Sequence, residues 1–380
     1  MDFSLSHDEQ LIKDSAREFL EKECPSELVR QMEDDERGYP PKLWEKMGEL
    51  GWLGLIFPDK YGGSNGTFME LAILLEAMGR YLAPVPFLPT VVLGGLTVLY
   101  GGTEEQKKKF LPRIAEGELV FTFGGTEANA GYDIAQTTAR AVRKGKSFLL
   151  NGTKTFVPYA RAADYVICIA RVEEGDGKEC RIAPVVVKGG CAGVDYTPLE
   201  TLASDHQYEI VFRNAEIPED SILLEKGNDG LIMVNKVLEC ATIAQCALMV
   251  GGAEKALEMA VDYAKKRIQF GHHIGSFQAM QHRIANSMID LDGAKFVTYR
   301  AVWKLDQGLP CDQDVSIAKA WVNQACQRIC ANAHQVFGGV GVIVDHDIQL
   351  YSKRAKMGEY LWGDTTFHRG MVADYLEKNR

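Results

Sequence analysis

The chain carries no excess of basic charge. Its 42 Lys and Arg against 52 Asp and Glu give a formal net charge of -10. That argues against non-specific nucleic-acid binding, which depends on clustered cations that neutralise phosphates. It leaves a small-molecule ligand and a protein partner equally open. The nine cysteines form no Cys-x-x-Cys pair, and no His/Cys group has zinc-ligand spacing. Cys326 and Cys330, one helical turn apart, read as small buried residues in a reducing compartment. No run of about 18 apolar residues is visible, so no membrane span is expected. The opening Met-Asp-Phe-Ser-Leu-Ser-His-Asp-Glu has neither the basic nor the apolar region of a signal peptide, which makes a cytoplasmic location the default.

What is present is an ordinary globular composition, 46% hydrophobic and 25% charged, over 380 residues. That length supports two or three domains and a large core. Up to about residue 120 the apolar spacing is helical. Ser6 and Glu9 form a capping-box pattern ahead of Ile12, Ala16, Phe19 and Leu20, and Pro25 ends that helix. Leu43, Met47, Leu50 and Leu53 continue helical spacing, as does Met69 to Met78. Gly101-Gly102-Thr103 leads into a charged helix.

From about 120 to 225 the period shortens. The stretch from Ser147 to Val157 reads as a hairpin with Asn151-Gly152 as its turn. Tyr165 to Ala170 and Ile182 to Val187 are short apolar runs joined by a polar Glu-Glu-Gly-Asp-Gly turn, and Tyr208 to Phe212 is a further strand. Such spacing predicts a small β-barrel or sandwich. From about 226 to the end the chain is helical again. Small residues between Ile243 and Ala264 suit close packing in a bundle.

One segment concentrates binding chemistry: Arg267-Ile-Gln-Phe-Gly-His-His-Ile-Gly-Ser-Phe-Gln-Ala-Met-Gln-His282. A guanidinium, several amides and two glycines at one helix end suit a phosphorylated ligand. This segment resembles the flavin-pyrophosphate segment of the acyl-CoA dehydrogenase family. Three others match the family in order and spacing. Thr126-Glu-Ala-Asn-Ala-Gly-Tyr-Asp133 resembles its Thr-Glu-Pro-x-Ala-Gly-Ser-Asp motif. Gln335-Val-Phe-Gly-Gly-Val-Gly341 resembles its Gln-x-x-Gly-Gly-x-Gly motif, and Lys353-Arg-Ala-Lys356 its Arg-Asp-Ala-Lys element.

The resemblance implies an α+β, mostly α fold. It has an N-terminal helical domain (1–120), a middle β-barrel domain (121–225) and a C-terminal four-helix bundle (226–380). It implies FAD bound between the β-domain and the bundle, and a tetramer built as a dimer of dimers. Arg267, Gln269, Phe270, Gln278, Gln335, Gly338 and Gly339 are implied to contact the adenosine-diphosphate half of an FAD held mainly by a neighbouring subunit. Phe123, Gly125, Thr126, Tyr132, Phe156, Pro158 and Asp364 are implied to lie along the flavin.

The family's reaction needs a carboxylate that takes a proton from the carbon beside the thioester carbonyl, while a hydride passes from the next carbon to the flavin. Most members carry that Glu six residues past the Lys of the Arg-Asp-Ala-Lys element. Here the position is Trp362, whose indole N–H is only a donor. The base position that some members use instead, on the first bundle helix, is Ala241. Thr242 stands where many carry an Arg for coenzyme A. In the β-domain, Tyr132 replaces the motif Ser, Phe156 and Pro158 replace a Trp and a Thr, and Gly125 replaces a Val. Loss of a general base typically costs about 10²- to 10⁴-fold in rate. Asp364 is the nearest substitute carboxylate. Glu239 falls on another face of its helix, and His368 and the His272-His273 pair read as surface or cofactor-edge residues.

Three readings stand at this level. The first is an FAD-dependent acyl-CoA dehydrogenase acting on a thioester, bulky or cyclic included, as one subunit of a heteromer whose partner supplies the Glu. The second is a self-sufficient dehydrogenase with another base such as Asp364. The third is a non-catalytic ligand-binding or assembly subunit. A homo- or hetero-tetramer is expected, with the heteromer favoured. An electron-transfer flavoprotein is the family's expected electron acceptor.

Overall fold

The computed structural model describes residues 5–174, 180–224 and 229–378. In chain order the helices begin with α1 (His7–Glu23), α2 (Ser26–Asp34), α3 (Pro41–Glu49) and α4 (Phe68–Arg80). A π-helical stretch, Leu88–Gly95, runs into α5 (Leu96–Gly101), and α6 (Glu104–Ala115) follows. Seven strands come next: β1 (Phe121–Gly124), β2 (Arg140–Lys144), β3 (Ser147–Pro158), β4 (Tyr165–Glu173), β5 (Cys180–Lys188), β6 (Val194–Leu199) and β7 (Gln207–Pro218). The long helix α7 (Gly230–Lys266) leads to the short strands β8 (Ile268–Gln269) and β9 (His272–His273). The chain closes with α8 (Gln278–Asp306), α9 (Asp312–Phe337), α10 (Ile348–Tyr360) and α11 (Thr365–Lys378).

Local sequence explains the early boundaries. The Ser6 side chain accepts from Glu9 N and the Glu9 carboxylate accepts from Ser6 N, the predicted capping box. Thr67 with Glu70 and Thr103 with Gln106 repeat the device on α4 and α6. The spacing expected through Leu53 breaks sooner, because α3 ends at Glu49 and Leu50 is left exposed.

The chain divides into two compact units. One comprises residues 1–29, 67–83 and 242–380; the other comprises 30–66 and 84–241. The N-terminal helices therefore contribute to both. In the first unit α4 and α7 pack backbone to backbone. A Cβ on Gly79 would lie 1.9 Å from Leu248 O, and one on Gly251 would lie 1.8 Å from Glu76 O. The small residues of α7 permit this approach. By length and composition α7 is also apolar enough to cross a membrane, a correction to the expectation that no such segment exists. Its apolarity comes largely from residues such as Ile243, Ala244, Cys246 and Ala247, all fully buried inside the protein.

The second unit is built on one curled seven-stranded sheet, with strand order β1-β4-β2-β3-β7-β6 and β5 on the other side of β4. Its core includes Phe148, Leu150, Cys168, Val185 and Ile210. The predicted hairpin at Asn151-Gly152 is not a turn, because β3 runs straight through it. The register against β7 shifts there, Asn151 pairs with Asn214, and a Cβ on Gly152 would lie 2.6 Å from that of Ala139. Asn-Gly here makes room for a crossing segment rather than reversing the chain. The tight reversal lies at Gly145-Lys146, where Lys144 pairs with Ser147 and Gly145 has φ +63°. The predicted strands at 165–170, 182–187 and 208–212 fall within β4, β5 and β7. Most of the polar turn between the first two lies outside the described residues.

Candidate functional site

The turn between α10 and α11 holds the position where the expected carboxylate is missing. Trp362 is half-buried and has φ +60°, and Gly363 follows with φ +114°. A left-handed conformation at a bulky residue costs about 1–2 kcal/mol, so surrounding groups must hold it. A Cβ on Gly363 would lie 2.4 Å from His368 Nε2, which accounts for glycine there. The turn thus has a defined left-handed shape with no acid at position 362.

Asp364 has a visible structural role. Its Oδ1 accepts the Phe367 backbone N–H at 2.8 Å, and its carbonyl accepts from His368 N at 3.1 Å. This is N-cap geometry for α11. His368, expected at a surface or cofactor edge, is buried instead. Its Nε2 lies 3.0 Å from Trp362 O, and its Nδ1 3.3 Å from Ser316 Oγ. Burial pushes the imidazole down to about 4, against the backbone hydrogen bond to Trp362, so the ring is neutral and donates from Nε2. His272 and His273 are exposed, as expected. Ala241 is fully buried, Thr242 is nearly so and Glu239 is half-buried.

Sequence reasoning missed the residues beneath this turn. Lys319 and Asn323 on α9 are fully buried, and Lys319 Nζ reaches the α10 carbonyl oxygens of Gly358 and Glu359. The available signal was the spacing of Ser316, Lys319 and Asn323, which puts three polar side chains on the buried face of one helix.

In the sheet unit the Thr126-Glu127 pair sets the loop that follows β1. Glu127 Oε1 lies 2.7 Å from Lys154 Nζ and accepts from Thr137 Oγ1 at 2.6 Å and Ala139 N at 3.0 Å. Its Oε2 accepts from Thr138 N at 2.7 Å. Burial raises this carboxyl, but the bonds from Lys154, Thr137 and Thr138 outweigh it and hold it at about 2. The motif glutamate therefore anchors residues 127–139 to β3. Tyr132 stands exposed on that loop. Thr126 is half-buried and its carbonyl accepts from Thr155 N.

The same strand bulges between Lys154 and Val157, where Phe156 takes φ +53° and is 57% exposed. Bulges of this kind re-aim side chains. Pro158 is half-buried, and its carbonyl accepts the Thr122 hydroxyl. Phe123 is buried. A Cβ on Gly125 would lie 2.7 Å from its ring, so the Phe123 side chain fills the space that a larger residue at 125 would need.

In the helical unit, β8 and β9 form a hairpin whose two turn residues, Phe270 and Gly271, both have positive φ. Phe270 is 90% exposed. Arg267 and Gln269 flank it, both exposed, and Gln278 is exposed at the start of α8. Arg267 N donates to Tyr263 O, and the Tyr263 ring packs on Phe337 at 5.0 Å. Phe337 adjoins Gly338 and Gly339, which are exposed with nothing within 4 Å of an added Cβ, and Gln335 is exposed nearby. The structure thus ties the Arg267 turn to the Gln335–Gly339 run.

These features fit the adenosine-diphosphate half of the expected flavin cofactor. A free guanidinium edge suits a diphosphate. Bare glycines admit backbone approach, and an aromatic ring held outward in a left-handed conformation suits a contact with another molecule. The sheet residues fit less closely, because Pro158 has no N–H to offer.

Comparison with known proteins identifies the family of the chain. The family models for the acyl-CoA dehydrogenase N-terminal, middle and C-terminal domains match residues 6–118, 122–215 and 228–376. The chain is 30% identical to a probable acyl-CoA dehydrogenase, YngJ, of Bacillus subtilis over the full length of both. It is 31% identical to the caffeyl-CoA reductase-Etf complex subunit CarC of Acetobacterium woodii, covering 98% of this chain and 99% of that one. Among solved structures, the ChsE4-ChsE5 complex of Mycobacterium tuberculosis superposes with a TM-score of 0.90 at 27% identity, covering 99% of each chain. Three domain models matched in order over nearly the whole length establish that this protein belongs to the acyl-CoA dehydrogenase family.

Proposed function

We propose that this chain is one subunit of a heteromeric acyl-CoA dehydrogenase whose partner carries the proton-abstracting Glu. The chain is an oxidoreductase of a family whose members are FAD flavoproteins. The finer assignment rests on one observation. At the turn where the family carries its acid, this chain has Trp362 and Gly363 in positive-φ conformations, while the nearest carboxylate in sequence, Asp364, caps α11. A capping carboxylate already engaged with backbone N–H is poorly placed to take a substrate proton.

In this reading the outward set Arg267, Gln269, Phe270, Gln278 and Gln335–Gly339 grips the diphosphate half of FAD on the partner. FAD, when bound, would supply the hydride acceptor for the thioester's β-carbon. Arg267 supplies charge to the diphosphate, Phe270 apolar contact, and the glycines unobstructed backbone amides. Apolar residues left exposed on the bundle support an assembly. Ile289 is 66% and Phe296 48% exposed on one face of α8, and Trp321 lies over Gly293 between them. The relatives named for complexes support a heteromer, and the one joined with Etf supports an electron-transfer flavoprotein as the redox partner. Its caffeyl thioester supports extending the reading to bulky or ring-bearing acyl groups. Seven of the nine cysteines are buried, in keeping with a cytoplasmic location.

The test is reconstitution. The chain is co-expressed with a candidate family member that keeps the Glu, and turnover of acyl-CoA thioesters is compared with that of each chain alone. Turnover that needs both chains, and that is lost when the partner's Glu becomes Gln, supports the reading. Full turnover by this chain alone sinks it.

A further inference from the structure

The turn at Trp362 rests on a buried cation whose hydrogen-bond partners are all neutral. Lys319 is fully buried on α9. Its Nζ donates to Asn323 Oδ1 at 2.7 Å, to Gly358 O and to Glu359 O at 3.3 Å. An ammonium has three N–H bonds, and here each has an acceptor. Gly358 and Glu359 lie in the last turn of α10, where carbonyls have no partner within the helix and the dipole favours a cation. Asn323, one turn further along α9, donates its amide to Glu359 O at 3.2 Å and Gly363 O at 3.4 Å. From the other side His368, backed by Ser316, holds Trp362 O. Lys319 and Asn323 of α9 thus reach the carbonyls at 358, 359 and 363, and His368 of α11, backed by Ser316 of α9, reaches that at 362, on both sides of the strained residue.

We propose that Lys319 is the positioning residue of this turn, fixing the left-handed backbone at Trp362 and so the direction in which its N–H and indole are presented. The clamp is present although no acid stands at position 362. A turn kept only for folding could relax at Trp362, because no carboxylate there needs aiming. The clamp therefore serves presentation of the backbone N–H and the indole face. Only the identity of what they meet, an acyl thioester, rests on the proposed function.

The cluster also singles out its own titration. Burial lowers the Lys319 ammonium to about 8, against the opposing influence of Cys246, Cys326, Glu359 and Asp364 around it. Cys246 is pushed up to about 12 and Cys326 well above its usual value, both by burial, and His368 is neutral above about 4. Of these shifted groups, only Lys319 changes charge between pH 6 and 10. A neutral amine keeps two N–H bonds, so one of the three acceptors is released.

The experiment labels the full chain, in the assembly in which it purifies, with 5-fluorotryptophan, and assigns the Trp362 ¹⁹F resonance by Trp362→Phe. The wild-type Trp362 resonance is expected to move with a midpoint near pH 8 while the other four hold still. In Lys319→Met it should sit displaced already at pH 7 and no longer titrate. A wild-type Trp362 resonance flat from pH 6 to 10 overturns the proposal, as does a folded Lys319→Met protein with an unmoved resonance. The wild-type titration needs no substitution, so it decides the matter even where the Met variant fails to fold. Neither flavin, thioester nor partner enters the readout, so its failure and that of the proposed function are separate results.

Discussion

Asp364 Oδ1 lies 2.8 Å from the backbone nitrogen of Phe367 and closes the first turn of α11. The carboxylate nearest to the family's base position is therefore a helix cap. Asparagine caps about as well as aspartate, and alanine does not, at a cost of about 1 kcal/mol. Asp364→Asn should leave turnover of the reconstituted enzyme within about two-fold and thermal stability unchanged, whereas Asp364→Ala should lower stability by about that 1 kcal/mol. Turnover and urea denaturation of both variants check this. A collapse of turnover in the Asn variant would restore Asp364 as a base.

The Lys154–Glu127 pair should dominate the acid response of the sheet unit. Glu127 is held below its ordinary value, so its contribution to stability is complete above the unfolded carboxylate value near 4.3 and disappears as pH falls towards about 2. Lys154→Met strands a buried carboxylate and should destabilise by about 3–5 kcal/mol at pH 7. The Lys154→Met, Glu127→Gln double variant should recover part of the loss. Denaturation curves of the single and double variants between pH 2 and 7 measure both effects.

Glu76 should act in the opposite sense. It is buried between α4 and its neighbours, with Tyr299 Oη 3.2 Å and Lys295 Nζ 3.9 Å away. Burial raises its carboxyl to about 7, against the pull of Lys295 and Tyr299. A raised acid contributes stability that is complete below the unfolded value near 4.3 and is lost as pH rises through about 7. The stability difference between wild type and Glu76→Gln should therefore shift against wild type from pH 4 to 8. A difference independent of pH over that window would show that Glu76 does not titrate as its surroundings imply.

Arg267 is exposed and its side chain should matter little to folding. Arg267→Ala should leave the melting temperature of the chain within about 1 °C, as surface substitutions away from special features do. It should weaken FAD binding by the reconstituted enzyme about 10- to 100-fold, the usual worth of a charge-assisted hydrogen bond of about 1.5–3 kcal/mol. Flavin retention on gel filtration separates the two effects.

Much of the architecture was legible because its signals are local. The Ser6–Glu9 capping box, the apolar runs of β4 and β5 and the small residues of α7 each act on neighbours in sequence or on one face of an element. The Asn151-Gly152 pair misled for the converse reason. Its conformation is set by Ala139 and Asn214, distant in sequence, and the true reversal at Gly145-Lys146 carried a weaker turn signature. The clamp beneath Trp362 was illegible as a function, since a lysine within a helix ordinarily reads as a solvated charge. His368 was misplaced likewise, because only the α9 face that buries it reveals what it holds.

In the proposed heteromer this chain contributes half of a cofactor site and no acid of its own. The most direct measurement is the visible absorption spectrum and acyl-CoA turnover of the purified chain, first alone and then with its Glu-bearing partner. The lone chain should carry sub-stoichiometric flavin and show no turnover, and the pair should show stoichiometric flavin and turnover. One tightly bound FAD per lone chain, together with full turnover, would contradict the proposal.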